Sequence, residues 1–224
     1  MRKIITLVCI ALNFTGLAQR MIESEVGEFD EIKVFDLIEV NLIQSDEDKI
    51  IIKGKNVEDI TWTNRNGVLK LRMQLDKKFR GEDTFIEVYY KDIDVIDGNE
   101  GARIVCNELV SQNKLEVRVQ EGAKITIGME VNYVEMRAVT GGIIEASGLA
   151  ESQSIVLNTG GIFEGRELRT ADTDIKISAG GEAELFASES VAINVRAGGD
   201  VDVYGNPKKV NKKTLVGGRI RFVD

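Results

Sequence analysis

The chain has 224 residues, and its composition excludes several classes of protein before any motif is considered. It contains no histidine, so it has no Ser-His-Asp catalytic set, no histidine-ligated zinc or haem and no histidine pH switch. With 29 Lys and Arg residues against 37 Asp and Glu residues, it lacks the positive charge on which binding to nucleic acid depends, so no nucleic-acid partner is expected.

Residues 1–18 are predicted to be a signal peptide. A positive start precedes a largely apolar run from Ile4 to Leu17, and small residues precede a cleavage point after Ala18. The run is shorter than the roughly 17–25 apolar residues that a membrane span needs, and Asn13 interrupts it. No later stretch is long and apolar enough to span a bilayer. We therefore expect an exported protein that is located in the periplasm, on the outer-membrane surface or outside the cell.

Residues 19–95 are predicted to be β-rich, without a regular period. Alternating apolar and polar residues predict strands at Glu31–Phe35, Leu37–Gln44, Lys49–Lys53 and Phe85–Tyr90. The segment from Trp62 to Met73 is predicted to be a hairpin around Asn66-Gly67, a dipeptide that favours tight β-turns. Two interpretations stay open: an N-terminal β module, or the irregular first turns of the structure that follows.

Pairs of small residues recur through the second half of the chain. Their first members are spaced 21, 19, 19, 20, 18 and 19 residues apart. Seven copies at nearly constant spacing indicate a repeat of about 20 residues, which is too short to bury its own apolar face. The pairs are Gly101-Ala102, Gly122-Ala123, Gly141-Gly142, Gly160-Gly161, Gly180-Gly181, Gly198-Gly199 and Gly217-Gly218.

Apolar residues alternate on both sides of each pair, which indicates two strands in each repeat. Each repeat is predicted to be a strand, a sharp glycine corner, a second strand and a loop, stacked on its equivalent in the next copy. The predicted fold is all-β: a right-handed, single-stranded parallel β-helix (solenoid) of 19–20 residues per turn over residues 96–224. Cys106, the only cysteine left after cleavage, falls at an inward position, so we expect a buried, unreactive thiol.

Short motifs in a fixed order resemble a known family. Gly27-Glu28-Phe29-Asp30-Glu31-Ile32 is followed by Ile38–Leu42, Ile50–Gly54 and Asn66–Leu71, and then by the recurring Gly-Gly strands. This order resembles the exported bacterial family named "putative auto-transporter adhesin head domain", common in Bacteroidetes, over nearly all of the mature chain. The resemblance implies a secreted or envelope β-helical protein with no established activity and no catalytic residues to assign.

The outward column of residues after the corners is the first candidate site. It reads Val105, Thr126, Glu145, Glu164, Glu184, Asp202 and Arg221. We call Glu145, Glu164, Glu184 and Asp202 the acidic ladder. Stacked strands lie about 4.8 Å apart, and carboxylate oxygens suit calcium or a cationic partner. A solvated acidic surface is the simpler interpretation, so we assign neither a metal nor a cofactor.

The strand before each corner carries the opposite charge. Arg118, Arg137, Lys176 and Lys213 share one outward phase, which Val156 and Asn194 interrupt. We call Arg118, Arg137 and Lys176 the basic ladder. It would suit charge-guided docking to a protein or an anionic glycan, and ordinary mixing of surface charge is the alternative.

These patterns predict an adhesin-like binding module of the cell envelope that engages a protein or glycan through a laddered face. Self-association is the next use that such a surface suggests. The alternative is a polysaccharide-acting lyase or hydrolase with paired carboxylates, Glu145 with Glu164 or Glu184 with Asp202. Only 6% of the residues are aromatic, and Trp62 lies outside the repeats, so aromatic platforms for sugars in a catalytic cleft are scarce. We therefore expect no enzymatic activity.

Overall fold

The computed structural model describes residues 20–223, so the predicted signal peptide at residues 1–18 lies outside the described residues. Two short 3-10 helices, Val57–Asp59 and Leu75–Lys77, are the only helices in this part of the chain. The strands are β1 (Met21–Glu25), β2 (Glu31–Val34), β3 (Glu39–Gln44), β4 (Lys49–Gly54), β5 (Ile60–Arg65), β6 (Val68–Met73), β7 (Thr84–Tyr90), β8 (Val95–Gly98), β9 (Arg103–Val119), β10 (Lys124–Val139), β11 (Ile143–Asn158), β12 (Gly161–Ile177), β13 (Gly181–Phe186), β14 (Ser190–Ala197), β15 (Asp200–Tyr204), β16 (Lys209–Val216) and β17 (Arg219–Phe222).

The repeats stack in parallel. Ile125 of β10 pairs with Ile104 of β9 on one side and with Ile144 of β11 on the other, so equivalent residues form columns along the stack. These inward columns are apolar and fully buried, and they form one continuous core. The result is a nearly all-β solenoid of about seven turns, which confirms the predicted fold class.

The predicted loop in each repeat is wrong for most of the solenoid. Strands β9 to β12 run without interruption from one corner to the next, over 16 or 17 residues each. Their register shifts between Ile127 and Gly128, and again between Glu145 and Ser147. Such bulges bend a strand while its ladder of hydrogen bonds continues, so the chain turns without a loop. A short loop at residues 187–189 separates β13 from β14.

The two members of a small-residue pair can have different structural roles, as Gly160 and Gly161 show. The first member, such as Gly160 with φ +74°, adopts the left-handed conformation that the tight corner needs. The second member allows close approach of the preceding turn: a Cβ on Gly161 would lie 2.0 Å from the carbonyl oxygen of Ala138. Small residues are therefore required at both positions, for separate reasons.

The N-terminal strands belong to the same stack, in an order that differs from the order in the sequence. Glu39 of β3 pairs in parallel with Phe85 of β7 on one side and with Arg103 of β9 on the other. Strand β2 likewise lies between β6 and β8. The first coil of the chain is thus inserted between two later coils. The hairpin of β5 and β6 forms around Asn66-Gly67 as predicted, and both residues have positive φ angles. The division of the chain at residues 95 and 96 stays a prediction.

The solenoid has two long sheets that hold the candidate sites. The front face consists of β1, β4, β7, β3, the first parts of β9 to β12, and then β13, β15 and β17. The back face consists of β5, β6, β2, β8, the last parts of β9 to β12, and then β14 and β16. Strands β4 and β5 are antiparallel to their neighbours at the N-terminal end.

Candidate binding face

The acidic ladder lies on the front face, on adjacent strands. Glu164 of β12 pairs with Glu145 of β11 and with Glu184 of β13, and Glu184 pairs with Asp202 of β15. The column continues beyond Thr126 and Val105 into the N-terminal strands, which the sequence pattern did not show. The structure therefore brings the four predicted acids together in one line along the solenoid.

Basic side chains flank the acidic ladder at both ends. Lys124 Nζ lies 2.9 Å from Glu145 Oε2 and 3.6 Å from Glu164 Oε2. At the other end, Arg221 forms an ion pair with Asp202. The hydrogen bond from Lys124 is the largest cause that lowers the pKa of Glu145, and the same bond raises the pKa of Lys124. Much of the ladder's negative charge is thus offset within the protein.

Three cavities follow one another along the front face and form a shallow trough. The largest, about 700 Å³, lies at the N-terminal end over β7, β3, β9 and β10. The next, about 260 Å³, lies beside Glu145, and the third, about 290 Å³, lies beside Glu182 and Asp202. Neighbouring cavities share Thr126 and Glu164, so the trough is continuous along the acidic ladder.

The N-terminal cavity of the trough combines an aromatic ring with amides and charges. Phe85 is 51% exposed, which leaves about half of this large apolar side chain open to a ligand. Asn107 Nδ2 donates a hydrogen bond to Asn41 Oδ1 at 2.8 Å. Arg103 and Lys124 complete one side of the cavity. An apolar surface with a few convergent polar groups is typical of small-ligand sites.

No sequence pattern indicated this N-terminal cavity. Asn41 stands in the same column as the acidic ladder, because it pairs with Val105 of β9 and with Glu87 of β7. The alternation of buried Val40 and Leu42 with outward Asn41 identified a strand. No glycine pair precedes this strand to align it with the repeats, so the strands that pair with it could not be assigned from the sequence.

The basic ladder lies on the back face, where acidic residues neutralise much of its charge. Arg118 Nε lies 2.6 Å from Glu116 Oε1, and Lys176 Nζ lies 3.4 Å from Asp174 Oδ1. Arg137 pairs through its backbone with Arg118 and, among the described residues, forms no ion pair. The structure therefore places the three residues on one face, within a surface of mixed charge.

Within residues 20–223, no three acidic or cysteine side chains are grouped so that they could hold a metal ion. Cys106 is buried and free, and burial raises the pKa of its thiol to about 12. The predicted burial of Cys106 is confirmed. A thiol with this pKa carries almost no nucleophilic thiolate at neutral pH.

Sequence patterns also missed a buried charged cluster near the N-terminal end. Asp36 is fully buried, and its Oδ2 accepts a hydrogen bond from the backbone N–H of Met73 at 3.1 Å. Arg72 lies 4.0 Å from Asp36 and 3.9 Å from Glu100. Burial and the neighbouring Asp36 raise the pKa of Glu100. The cluster joins the inserted coil to the coils on both sides of it.

Comparison with known families shows which family the chain belongs to. Residues 28–207 match the family described as "Putative auto-transporter adhesin, head GIN domain". The chain belongs to this family. The resemblance seen in the sequence is confirmed. A family described as adhesins favours binding over enzymatic activity. No curated protein matches the chain.

Solved structures of other bacterial proteins share the fold of this family member. A "putative adhesin" from Bacteroides fragilis matches with a TM-score of 0.83 and 16% identity, over 93% of this chain and 98% of that one. A "putative adhesin" from Parabacteroides merdae gives 0.69 and 16%, over 93% and 98%. A "Putative lipid binding protein" from Parabacteroides distasonis gives 0.68 and 15%, over 92% and 97%. At these identities the likeness shows the fold alone. Residues 20–223 include no helix with the length and apolar character needed to cross a membrane.

Proposed function

We propose that this family member is an exported surface binding module that holds an extended glycan chain along the trough of the front face. The continuous trough is the observation that carries the proposal. A rigid sheet repeats its side chains at intervals of about 4.8 Å. A chain-like ligand lying along it can therefore make many weak contacts at once, which add up to useful affinity.

The lining of the trough favours a glycan over a lipid. Phe85 offers a flat apolar ring, and Asn41 and Asn107 offer amides that donate and accept hydrogen bonds. Glu164 and Glu184 extend this polar lining with acceptors for hydroxyl groups. A lipid would leave these polar groups without partners, at a cost in free energy.

The chemistry of the acidic ladder supports binding over catalysis. A glycosidase needs a carboxylic acid with a raised pKa to protonate the leaving group. The pKa of Glu145 is lowered, mainly by the hydrogen bond from Lys124. Glu145 is therefore a poor general acid, which leaves it only the nucleophile or base role in a pair with Glu164; we propose binding rather than hydrolase or lyase activity.

A glycan array probed with the mature chain, residues 19–224, tests the proposal. We expect binding that is the same with calcium and with chelator, and that falls at least about tenfold in the Phe85→Ala variant. Phe79→Ala is the matched control, because Phe79 is similarly exposed, at 56%, but lies outside the trough. Failure to bind any glycan, or binding that Phe85→Ala leaves unchanged, would overturn the proposal. Turnover of a bound polysaccharide would assign the protein to the enzymes instead.

A further inference from the structure

The two ends of the front face have complementary edges. Within residues 20–223, β17 pairs only with β15, and β1 pairs only with β4, so each strand has one free backbone edge. Free edges of this kind are templates for pairing with another chain. We propose that copies of this chain associate head to tail, with β17 of one copy against β1 of the next. This association is independent of the proposed glycan binding.

The direction of β1 suits such a contact. Strand β1 is antiparallel to β4, and β4 is antiparallel to β7. Strand β1 is therefore parallel to β7 and to the rest of the front face, including β17. A second copy stacked on the same axis continues the parallel order of the sheet without a change of direction.

The register of the sheet places opposite charges together at the junction. The outward column of Arg221 runs through Asn41 and Glu87 and ends at Glu23 of β1. A copy stacked in register therefore puts Glu23 beside Arg221. The adjoining inward column begins with Ile22 and ends with Ile220, so two apolar side chains meet on the core side.

Both charged side chains are available at the free edges. The side chains of Glu23 and Arg221 are 52% and 53% exposed. Arg221 forms an ion pair with Asp202, and Glu23 lies 3.3 Å from Lys49. Contact between copies thus gives the order Asp202, Arg221, Glu23, Lys49, in which the sign of the charge alternates.

The same charges oppose association between like ends. Two C-terminal ends would bring Arg219 and Arg221 against their own copies, and two N-terminal ends would oppose Glu23 with Glu25. The lysines of β16, Lys209, Lys212 and Lys213, would add to the positive charge at two C-terminal ends. Like charges at strand spacing repel.

Head-to-tail contacts do not close on themselves, so they extend into a row of copies. The front face extends one strand further than the back face at the N-terminal end, because β1 lies beyond β4 whereas β5 ends the back face. Only the front faces of two copies therefore meet. Because this contact is small, its formation depends on protein concentration.

Sedimentation velocity of the mature chain over a wide concentration range tests the proposal. We expect the weight-average mass of the wild type to rise with concentration. Glu23→Arg and Arg221→Glu should each hold the mass at that of one chain. An equimolar mixture of the two variants should associate again, because both kinds of junction between unlike variants bring opposite charges together. Glu182→Arg, which reverses an exposed charge on β13, two strands from the β17 edge, is the matched control and should associate like the wild type.

The mixing experiment distinguishes head-to-tail contact from non-specific aggregation. A wild type that stays a single chain at all concentrations would overturn the proposal. Association that neither single variant weakens, or a mixture that forms no dimer although both variants show the wild-type circular dichroism spectrum, would also overturn it. Glu23 lies outside the trough, so Glu23→Arg should leave glycan binding unchanged, and the two proposals can fail separately.

Discussion

Lys124 of β10 places its Nζ 2.9 Å from Oε2 of Glu145 on the next turn of the front face. This hydrogen bond is the largest cause that lowers the pKa of Glu145. Lys124→Met should therefore raise the pKa of Glu145 towards its ordinary value of 4.5, as measured by NMR titration of the side-chain carboxyl carbon. Because the pair is partly exposed, the free energy of unfolding should change by less than about 1 kcal/mol.

A second lysine provides the control for this pair. Lys114 lies 3.5 Å from Glu135, away from Glu145. Lys114→Met should leave the pKa of Glu145 unchanged. If Lys124→Met also leaves it unchanged, the contact does not persist in solution. With a lowered pKa, the stabilisation by Glu145 is present above pH 4.5 and is lost as the pH falls through the folded-state value.

The corner glycines differ in what they tolerate. Gly161→Ala places a Cβ 2.0 Å from the carbonyl oxygen of Ala138, so the backbone of two turns must move apart. We expect a loss of about 1–3 kcal/mol in the free energy of unfolding, measured with urea. Gly160→Asn should cost less, because no atom lies within 4 Å of the added Cβ and asparagine tolerates the left-handed conformation. Equal losses would contradict the separate roles of the two positions.

The Asp36 and Glu100 cluster predicts a particular pH dependence of stability. Glu100 has a raised pKa, so its contribution to stability is fully present below its unfolded value of 4.5. The contribution is lost as the pH rises through the folded-state pKa. Asp36 Oδ1 and Glu100 Oε2 are buried without a hydrogen-bond partner, and a proton on Glu100 supplies the missing donor. Glu100→Gln supplies that donor at every pH.

Urea unfolding at a series of pH values from about 4 to 8 measures this dependence. Glu100→Gln should remove the loss of stability that the wild type shows as the pH rises. Glu121→Gln is the matched control, because Glu121 precedes the next corner glycine but is exposed. It should keep the wild-type slope. The same slope in Glu100→Gln would show that this glutamate does not titrate as inferred.

Cys106 should react only when the protein unfolds. Burial raises the pKa of its thiol to about 12 and keeps reagents away. We expect the mature chain to react with Ellman's reagent at least about a hundredfold more slowly in buffer than in denaturant, since thiolate is the reactive form. Fast labelling in buffer would show that the inward column opens around this residue.

The repeated half of the fold could be predicted because each glycine corner fixes which of the residues after it face inward and which face outward. Once Gly141 and Gly160 are aligned, the outward position of Glu145 and Glu164 follows, and with it the acidic ladder. The contact of Lys124 with that ladder could not be predicted in the same way, because it runs diagonally between neighbouring columns and depends on a flexible side chain.

The N-terminal half could not be predicted to the same depth. The sequence identified the strand at Lys49–Lys53, which the structure extends to Gly54, and the hairpin at Asn66-Gly67; both depend on local patterns. The position of Glu39 between Phe85 and Arg103 depends on pairings between distant segments that no short motif records. The cavity beside Phe85 arises from those pairings, so it became visible only in three dimensions.

The inserted coil also sets an order of events during synthesis. When β3 leaves the ribosome, neither β7 nor β9, its partners on the two sides, has yet been made. Neither edge of the strand can pair until β7 has emerged, and the second edge stays unpaired until β9 follows from residue 103. Long-range pairing of this kind is slow. A nascent chain that cannot complete its first coil early stays unfolded for longer during synthesis.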